Sequence, residues 1–469
     1  MRSTLPRAGA ALATLALVLA ACGGATSPSP GESAAASEGG TGEVVTIRWF
    51  CCLGAGDDPE QVTQEEAVVE AFNASHDNII LELEIVDYDS AFDAMSVEIA
   101  GGNAPDIVGP VGVSGAEAFH GQWLDLTEQI DATGYDLSQF TQGSVEFYQS
   151  GGEGQVGLPF AIFPSMLFYH RDMFDEAGLE YPPHAYGDPY VLDGEEVTWD
   201  MDALREVAMR LTVDVNGNDA TSADFDPDNI VQYGYEPQYQ DLRAVGSYFG
   251  SGSLVADDGS TAQVPDAWGD AWKWIYDGTW EDHFIMTEAL VNAPEFGNGN
   301  AYNSGRVAMA LTHLWYTCCI DESGEDWDIG AVPDYNGTTT SNFNADTFRV
   351  WGDTEHPAEA FEVLTYLIGE ASPDLLQIYG GMPAIEANQD AFFAGLDERY
   401  PWDVDWQVAK DSVAFADNPS FEGFVPAYQE TFDAVVTFGS KLRSTEGLDV
   451  DAEIAAFIEE LQTIYDGAE

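Results

Sequence analysis

Alternation of strand-like and helix-like segments constrains this chain most. Residues 44–50 form a run of β-branched and aromatic residues, Val44-Val45-Thr46-Ile47-Arg48-Trp49-Phe50, the composition of a strand. Over 59–76, Val62, Ala67, Val68, Ala71 and Phe72 recur near helical spacing. Residues 79–86 return to a period of two, with Ile80, Glu82 and Glu84 on one face and Leu81, Leu83 and Ile85 on the other. Residues 88–100 read as a helix closed by Gly101-Gly102, and 105–108 as a short buried strand. This order predicts a parallel α/β layer whose ligand crevice lies outside the carboxyl ends of its strands. The loop from Cys51 to Asp58 lies at such an end. A second α/β region begins near Gly157, with helices expected over 202–211, 265–276, 357–368 and 448–465 and a polar loop over 213–229.

The start of the chain bears on where it works. Arg2 and Arg7 flank the entry to an uncharged apolar run over 8–19, followed by Leu19-Ala20-Ala21-Cys22. A basic start, a short apolar stretch and small residues before a cut describe a secretory leader over 1–21. The run is shorter than the roughly 20 residues a spanning helix needs. The tetrad resembles a bacterial lipobox, which implies that Cys22 is acylated and becomes the mature N-terminus. Residues 22–42 are mostly Gly, Ser, Ala, Thr and Pro, too poor in apolar surface to fold, so they read as a flexible tether. The expected location is the extracellular face of the cell membrane, through a lipid anchor only.

There are 83 acidic residues against 14 Lys and Arg, a formal charge of −69 that becomes more negative once Arg2 and Arg7 leave with the leader. Nothing here could neutralise phosphates, which excludes nucleic acid as a partner. The acid is spread through the body, so it reads as adaptation to high salt, where self-repulsion is screened. The body exceeds the roughly 100–200 residues of one domain, so two are expected. Apart from Cys22, the cysteines are two adjacent pairs, Cys51-Cys52 and Cys318-Cys319. Export predicts disulfides, while the missing CxxC spacing and scattered histidines argue against zinc. Asp214, Asn216 and Asn218 resemble the start of a calcium loop. Asp219 and Phe225 stand where such a loop wants Gly and Glu, so a polar turn is expected and no cofactor.

Four segments in order resemble the extracellular solute-binding proteins of ABC importers, the family that includes maltose-binding protein. They are Gly157-Leu158-Pro159-Phe160-Ala161 with Leu167 to Phe174 and Ala177-Gly178-Leu179; Asn303 to Ala310 with Trp315; Ile329-Gly330-Ala331-Val332-Pro333; and Ala358 to Leu364 ahead of Gly381-Met382-Pro383-Ala384. His170-Arg171 replaces the common Asn-Lys, and Leu314 replaces a small residue. The resemblance implies an α/β, two-lobed periplasmic-binding-protein fold with a hinge and an interlobe ligand cleft. It puts 43–157 with about 344–382 in one lobe, and 158–342 with about 383–469 in the other.

The implied function is a lipid-anchored, monomeric subunit that captures a neutral oligosaccharide by cleft closure and delivers it to permease subunits. Trp315 resembles the family's cleft tryptophan, and Phe163 stands at a cleft position. Tyr428 resembles the C-terminal aromatic brought to the sugar, with Phe424 as its alternative. Asp57 and Asp58, on the first strand-end loop, are candidates for accepting sugar hydroxyls; a solvated acidic loop is the plainer reading. The family cleft would set Cys51-Cys52 opposite Cys318-Cys319. A disulfide within each pair leaves the lobes free and makes a small apolar platform; cross-bridges and free thiols are the alternatives. A cationic amine or polyamine is the competing ligand class, held by carboxylates and aromatic faces. A secreted glycoside hydrolase is the enzyme alternative. No GxSxG or HExxH motif is present, and carboxylate pairs carry no weight in a chain this acidic.

Overall fold

A computed structural model describes residues 44–468, except 55, 142–143, 151–152 and 321–326. The expected leader, Cys22 and the tether lie outside the described residues.

The first elements are β1 (Val45–Cys51), α1 (Pro59–Ser75), β2 (Ile79–Ile85), α2 (Tyr88–Ala100) and β3 (Ile107–Gly112). β1 pairs in parallel with both β2 and β3. Period-two alternation splits its side chains between two cores. Ile47 and Trp49 pack into one with Val68 and Phe72 of α1, while Phe50 packs into another with Ala91 and Met95 of α2. The layer therefore carries helices on both faces, as the alternation predicts.

β4 (Ala161–His170) joins this layer to the rest of the chain, and all ten of its residues are buried. α3 (Arg171–Ala177), α4 (Met201–Leu211), β5 (Ile230–Glu236), α5 (Leu242–Ser247), α6 (Asp266–Trp280), β6 (Val307–His313) and β7 (Trp327–Gly330) follow. Next come β8 (Phe343–Val350), α7 (Pro357–Ile368), α8 (Ser372–Tyr379), β9 (Met382–Pro383), α9 (Gln389–Arg399), α10 (Tyr428–Ser444) and α11 (Val450–Gly467). The main sheet runs β2-β1-β3-β8-β4-β6-β5. β4 changes partners midway. Ala161 to Pro164 pair with β8, and Ser165 to Tyr169 pair with β6, both antiparallel. One strand thus begins in the first sheet region and ends in the second.

Three stretches of chain meet where β4 changes partner. The hydroxyls of Ser165 and Ser341 lie 2.9 Å apart, those of Ser341 and Ser412 lie 2.6 Å apart, and Ser412 Oγ donates to the Ser165 carbonyl at 2.7 Å. All three serines are fully buried. Asp417 accepts the amide N–H of Phe343 at 2.9 Å and of Phe421 at 2.6 Å, which ties the third stretch to the second.

Beyond this junction, α4, α6, α10 and α11 pack with β5 and β6 around Leu204, Trp272, Phe438 and Leu461. Phe392, Phe393 and Leu396 of α9 instead share the core of β1 and α7. Only the later part of the C-terminal stretch therefore packs with the second group of helices.

Candidate functional site

A cavity of about 620 Å³ opens beside the junction, walled by residues 236–245, the end of β6, Phe421-Glu422 and α10. β6 is buried along its whole length, and a single 3₁₀ turn, Leu314–Cys318, follows it. That turn keeps Leu314 and Tyr316 in the core and brings Trp315 out, half-buried, to the cavity. Four near-parallel rings result. Tyr239 and Trp315 are 6.0 Å apart at 28°, Trp315 and His313 5.7 Å at 18°, and His313 and Phe421 6.1 Å at 30°. His313 and Phe421 are buried, so Tyr239 and Trp315 are the members of the row whose π-faces can meet the C–H surface of a ligand.

Polar groups stand among the rings. Gln240 Nε2 lies 3.3 Å from His313 Nδ1. Burial pulls the imidazole down to about 3, so it is neutral. With Nδ1 accepting, the proton sits on Nε2, which finds no acceptor among the described residues. Arg243 donates Nε and Nη2 to Asp241 at 3.1 and 3.0 Å, and its Nη1 has no partner among the described residues. Asp241 also caps α5, accepting the amide N–H of Arg243 and Ala244. Glu422 meets the Asn344 amide nitrogen at 2.7 Å once that amide is oriented to donate. Burial, with Asp346, Asp241 and Asp417 nearby, pushes Glu422 up to about 8 against the pull of Arg243.

Of the residues singled out in sequence, Trp315 lines this cavity. Phe163 is 4% exposed and packs in the core, its ring against Gly381, where a Cβ would overlap Ala161 at 2.8 Å and crowd the ring at 3.1 Å. Tyr428 opens α10 with its ring facing Arg243 at 5.7 Å. It lines a second cavity of about 540 Å³ together with Phe424, Glu117 and His120. There His120 stacks on Phe424 at 4.2 Å and contacts Glu117 and Glu153 at 3.0 and 3.1 Å. Asp58 is the exposed residue before α1, and Asp57 is half-buried beside it; neither lines the Trp315 cavity.

Cys51 and Cys52 are joined to each other. Both are fully buried, beside the Glu65 carboxylate and under Gly56, where a Cβ would overlap the Cys51 sulfur. Burial pushes Glu65 up to about 7. The pair faces protein in this conformation and not an open cavity. Cys319 is a disulfide cysteine; the Cys318 side chain lies outside the described ones. Asp214 is filled from within its own loop. Its oxygens accept from the amides of Asn216, Asn218 and Asp226 and from Asn218 Nδ2, the donors of a polar turn and not the surroundings of a cation.

Tyr239, His313, Arg243, Phe421 and Glu422 escape a reading of the sequence. Asp241 ahead of Leu242, Ala244 and Val245 is a helix-start signal, which would have placed Arg243 in a first turn. Nothing local shows that this turn faces Trp315, because three stretches far apart in sequence build the wall.

Residues 67–393 match the model of the bacterial extracellular solute-binding proteins, and the chain belongs to that family. Its members hold solutes and are not enzymes. An uncharacterized lipoprotein from the oleD 5′ region of Streptomyces antibioticus is 25% identical over 376 residues, 76% of this chain and 71% of that one. UspC of M. tuberculosis superposes with a TM-score of 0.68 at 18% identity, over 90% of this chain and all of UspC. The ABC substrate-binding protein Lmo0181 of Listeria monocytogenes, solved with cycloalternan, superposes at 0.66 with 17% identity over 91% of this chain and all of that one. At these identities the structures show the fold, the two-lobed periplasmic-binding-protein architecture.

Proposed function

We propose that this protein is the lipid-anchored, substrate-binding subunit of an ABC importer and captures an oligosaccharide by closing two lobes around it. The observation that carries the reading is the pair of accessible rings, Tyr239 and Trp315, on the wall of the cavity of about 620 Å³, backed by the buried rings of His313 and Phe421. Ring faces suit sugar C–H surfaces, and polar side chains beside them, such as Gln240, suit hydroxyls. Lmo0181, with its cycloalternan, is one protein of this fold that holds a carbohydrate. The anchor reading rests on Leu19-Ala20-Ala21-Cys22 and on the lipoprotein relative. The lobes divide near the β4 partner change, and the permease would receive the closed form. Adaptation to high salt belongs to the same reading.

Trp315→Ala tests the site. Loss of one aromatic platform should weaken binding by about 1–3 kcal/mol, roughly tenfold to hundredfold in affinity, at an unchanged melting temperature. Calorimetry against maltotriose, cellotriose and mannotriose measures it. A lowered melting temperature with affinity retained in the folded fraction would make Trp315 a core residue and sink the assignment.

A further inference from the structure

Away from the Trp315 cavity, one pair of rings joins the first group of elements to the second. His120 belongs to the stretch that follows β3, whose Ala116 and Phe119 pack with Phe50 and Val108. Phe424 precedes α10, and its neighbours Val425 and Tyr428 pack with Trp272 and Phe438. The two rings are half-buried and stack with centroids 4.2 Å apart at 27°. Beside them Ala118 touches both cores. The cavity of about 540 Å³ lies alongside, with Glu117, Ala118 and His120 on one wall and residues 424–430 on the other. The stack therefore bridges a gap between the two groups.

Charge sets this contact apart from ordinary packing. His120 Nδ1 lies 3.0 Å from Glu117 Oε2 and 3.1 Å from Glu153 Oε2. Both carboxylates belong to the histidine's own side of the gap. Glu117 is buried, and Glu153 accepts the amide N–H of Gly121 and stands close before Val156 of the same core. Arg349 of β8 also bears on the ring; it is buried, with its guanidinium over the faces of Trp123 and Tyr148 at 5.9 and 5.8 Å. From the Phe424 side, Glu430 of α10 and Asp466 of α11 line the cavity. Glu117 and Glu153 against Arg349 leave one negative charge over, which an imidazolium balances. A deprotonated Nδ1 would instead turn its lone pair on both carboxylates. The hydrogen bond to Glu117 raises His120 above the ordinary histidine value, with Glu153 adding to it and burial and Arg349 opposing.

We infer that His120 and Phe424 form the latch that holds the closed state, with the charged imidazole of one lobe seated on the ring face of the other. The inference rests on the closure proposed above and names the contact that secures it. A cation on a phenyl face gains attraction that a neutral imidazole lacks, about two- to fivefold in the closing equilibrium at a partly exposed site. Glu117 and Glu153 stay with His120 when the lobes part, so the ring is charged beforehand and Phe424 is what closing adds. The closed state thus favours the protonated ring. The latch is complete below the histidine's own value and is lost as pH rises through it. A trapped solute is held more tightly in acid than in alkali.

Nuclear magnetic resonance of the histidine-labelled mature chain tests the contact without a ligand. It is recorded at about 1 M salt, where a Debye length of about 3 Å removes the pull of distant carboxylates. His120→Gln identifies the His120 signal by its loss. That signal should lie upfield, under the ring current of Phe424, and titrate above about 6.5. Phe424→Leu keeps an apolar contact and removes the π-face. It should abolish the upfield shift and lower the midpoint by about 0.4–0.7 unit. A signal without the shift, or a midpoint that Phe424→Leu leaves in place, overturns the latch. Closing is read separately, from calorimetric affinities for maltotriose, cellotriose and mannotriose at about pH 6 and about pH 9, on either side of the histidine. In a double-mutant cycle of His120→Gln and Phe424→Leu, the coupling should be about two- to fivefold at the lower pH and vanish at the higher. Coupling that is absent, or equal at both, overturns the latch, and binding of a sugar then leaves the carbohydrate reading intact. If no sugar binds, the carbohydrate reading fails and the resonance titration still decides the latch.

Discussion

Asp346 concentrates a pH dependence in one side chain. It lies half-buried on β8, where burial pushes its carboxyl up to about 7, against about 4 in an unfolded chain. A carboxyl raised by folding contributes stability fully below its unfolded value, and that contribution is lost as pH rises through about 7. Asp346→Asn should therefore raise the melting temperature at about pH 8, by about 1–3 °C, and change it little at about pH 5. An equal effect at both pH values would show that burial does not discriminate the charged form there. Glu65, Asp417 and Glu422 are shifted in the same direction, to about 7, 7 and 8, and add to the same slope. His313, held down to about 3, opposes it below the ordinary histidine range.

Among the elements, periodicity located the helices Tyr88–Ala100 and Pro357–Ile368 to the residue, because each has an apolar face and a clear stop. β3 is different. The short strand expected over 105–108 instead runs from Ile107 through Gly109-Pro110 to Gly112, and β8 pairs with it through a register shift between Thr347 and Arg349. β4 falls in the region expected to begin near Gly157, but its change of partner at Ser165 depends on β6 and β8, which come some 140 or more residues later. The same reason hides most of the cavity. Trp315 sits in a motif, whereas Tyr239, Arg243 and Glu422 gain meaning only when the crossings bring their stretches together. Those crossings are held by the buried hydroxyls of Ser165, Ser341 and Ser412. Ser341→Ala strands two of them, at about 1–3 kcal/mol. The denaturation midpoint should fall with an unchanged m-value; an unaltered midpoint would mean that the hydroxyl contacts are not what ties the crossings.

At the scale of the whole molecule, electrostatics dominate. The lysines are already paired, Lys273 with Asp451, Lys410 with Asp390 and Lys441 with Glu453, and exposed pairs contribute at most about 1 kcal/mol each. They cannot offset a formal charge of −69. The melting temperature should rise as salt goes from about 0.1 M to about 1 M, where the Debye length shrinks from about 10 Å to about 3 Å. A flat or falling curve would remove the salt-adapted reading.

Capture by closure is the central claim, and small-angle X-ray scattering of the mature chain at about 1 M salt reaches it most directly. Scattering is recorded alone and with saturating maltotriose, cellotriose or mannotriose. A sugar held between lobes around Trp315 should reduce the radius of gyration with at least one of these, and Trp315→Ala should shift that response to higher sugar concentration. Scattering curves that no sugar changes, from a protein that calorimetry shows to bind none of them, would contradict oligosaccharide capture.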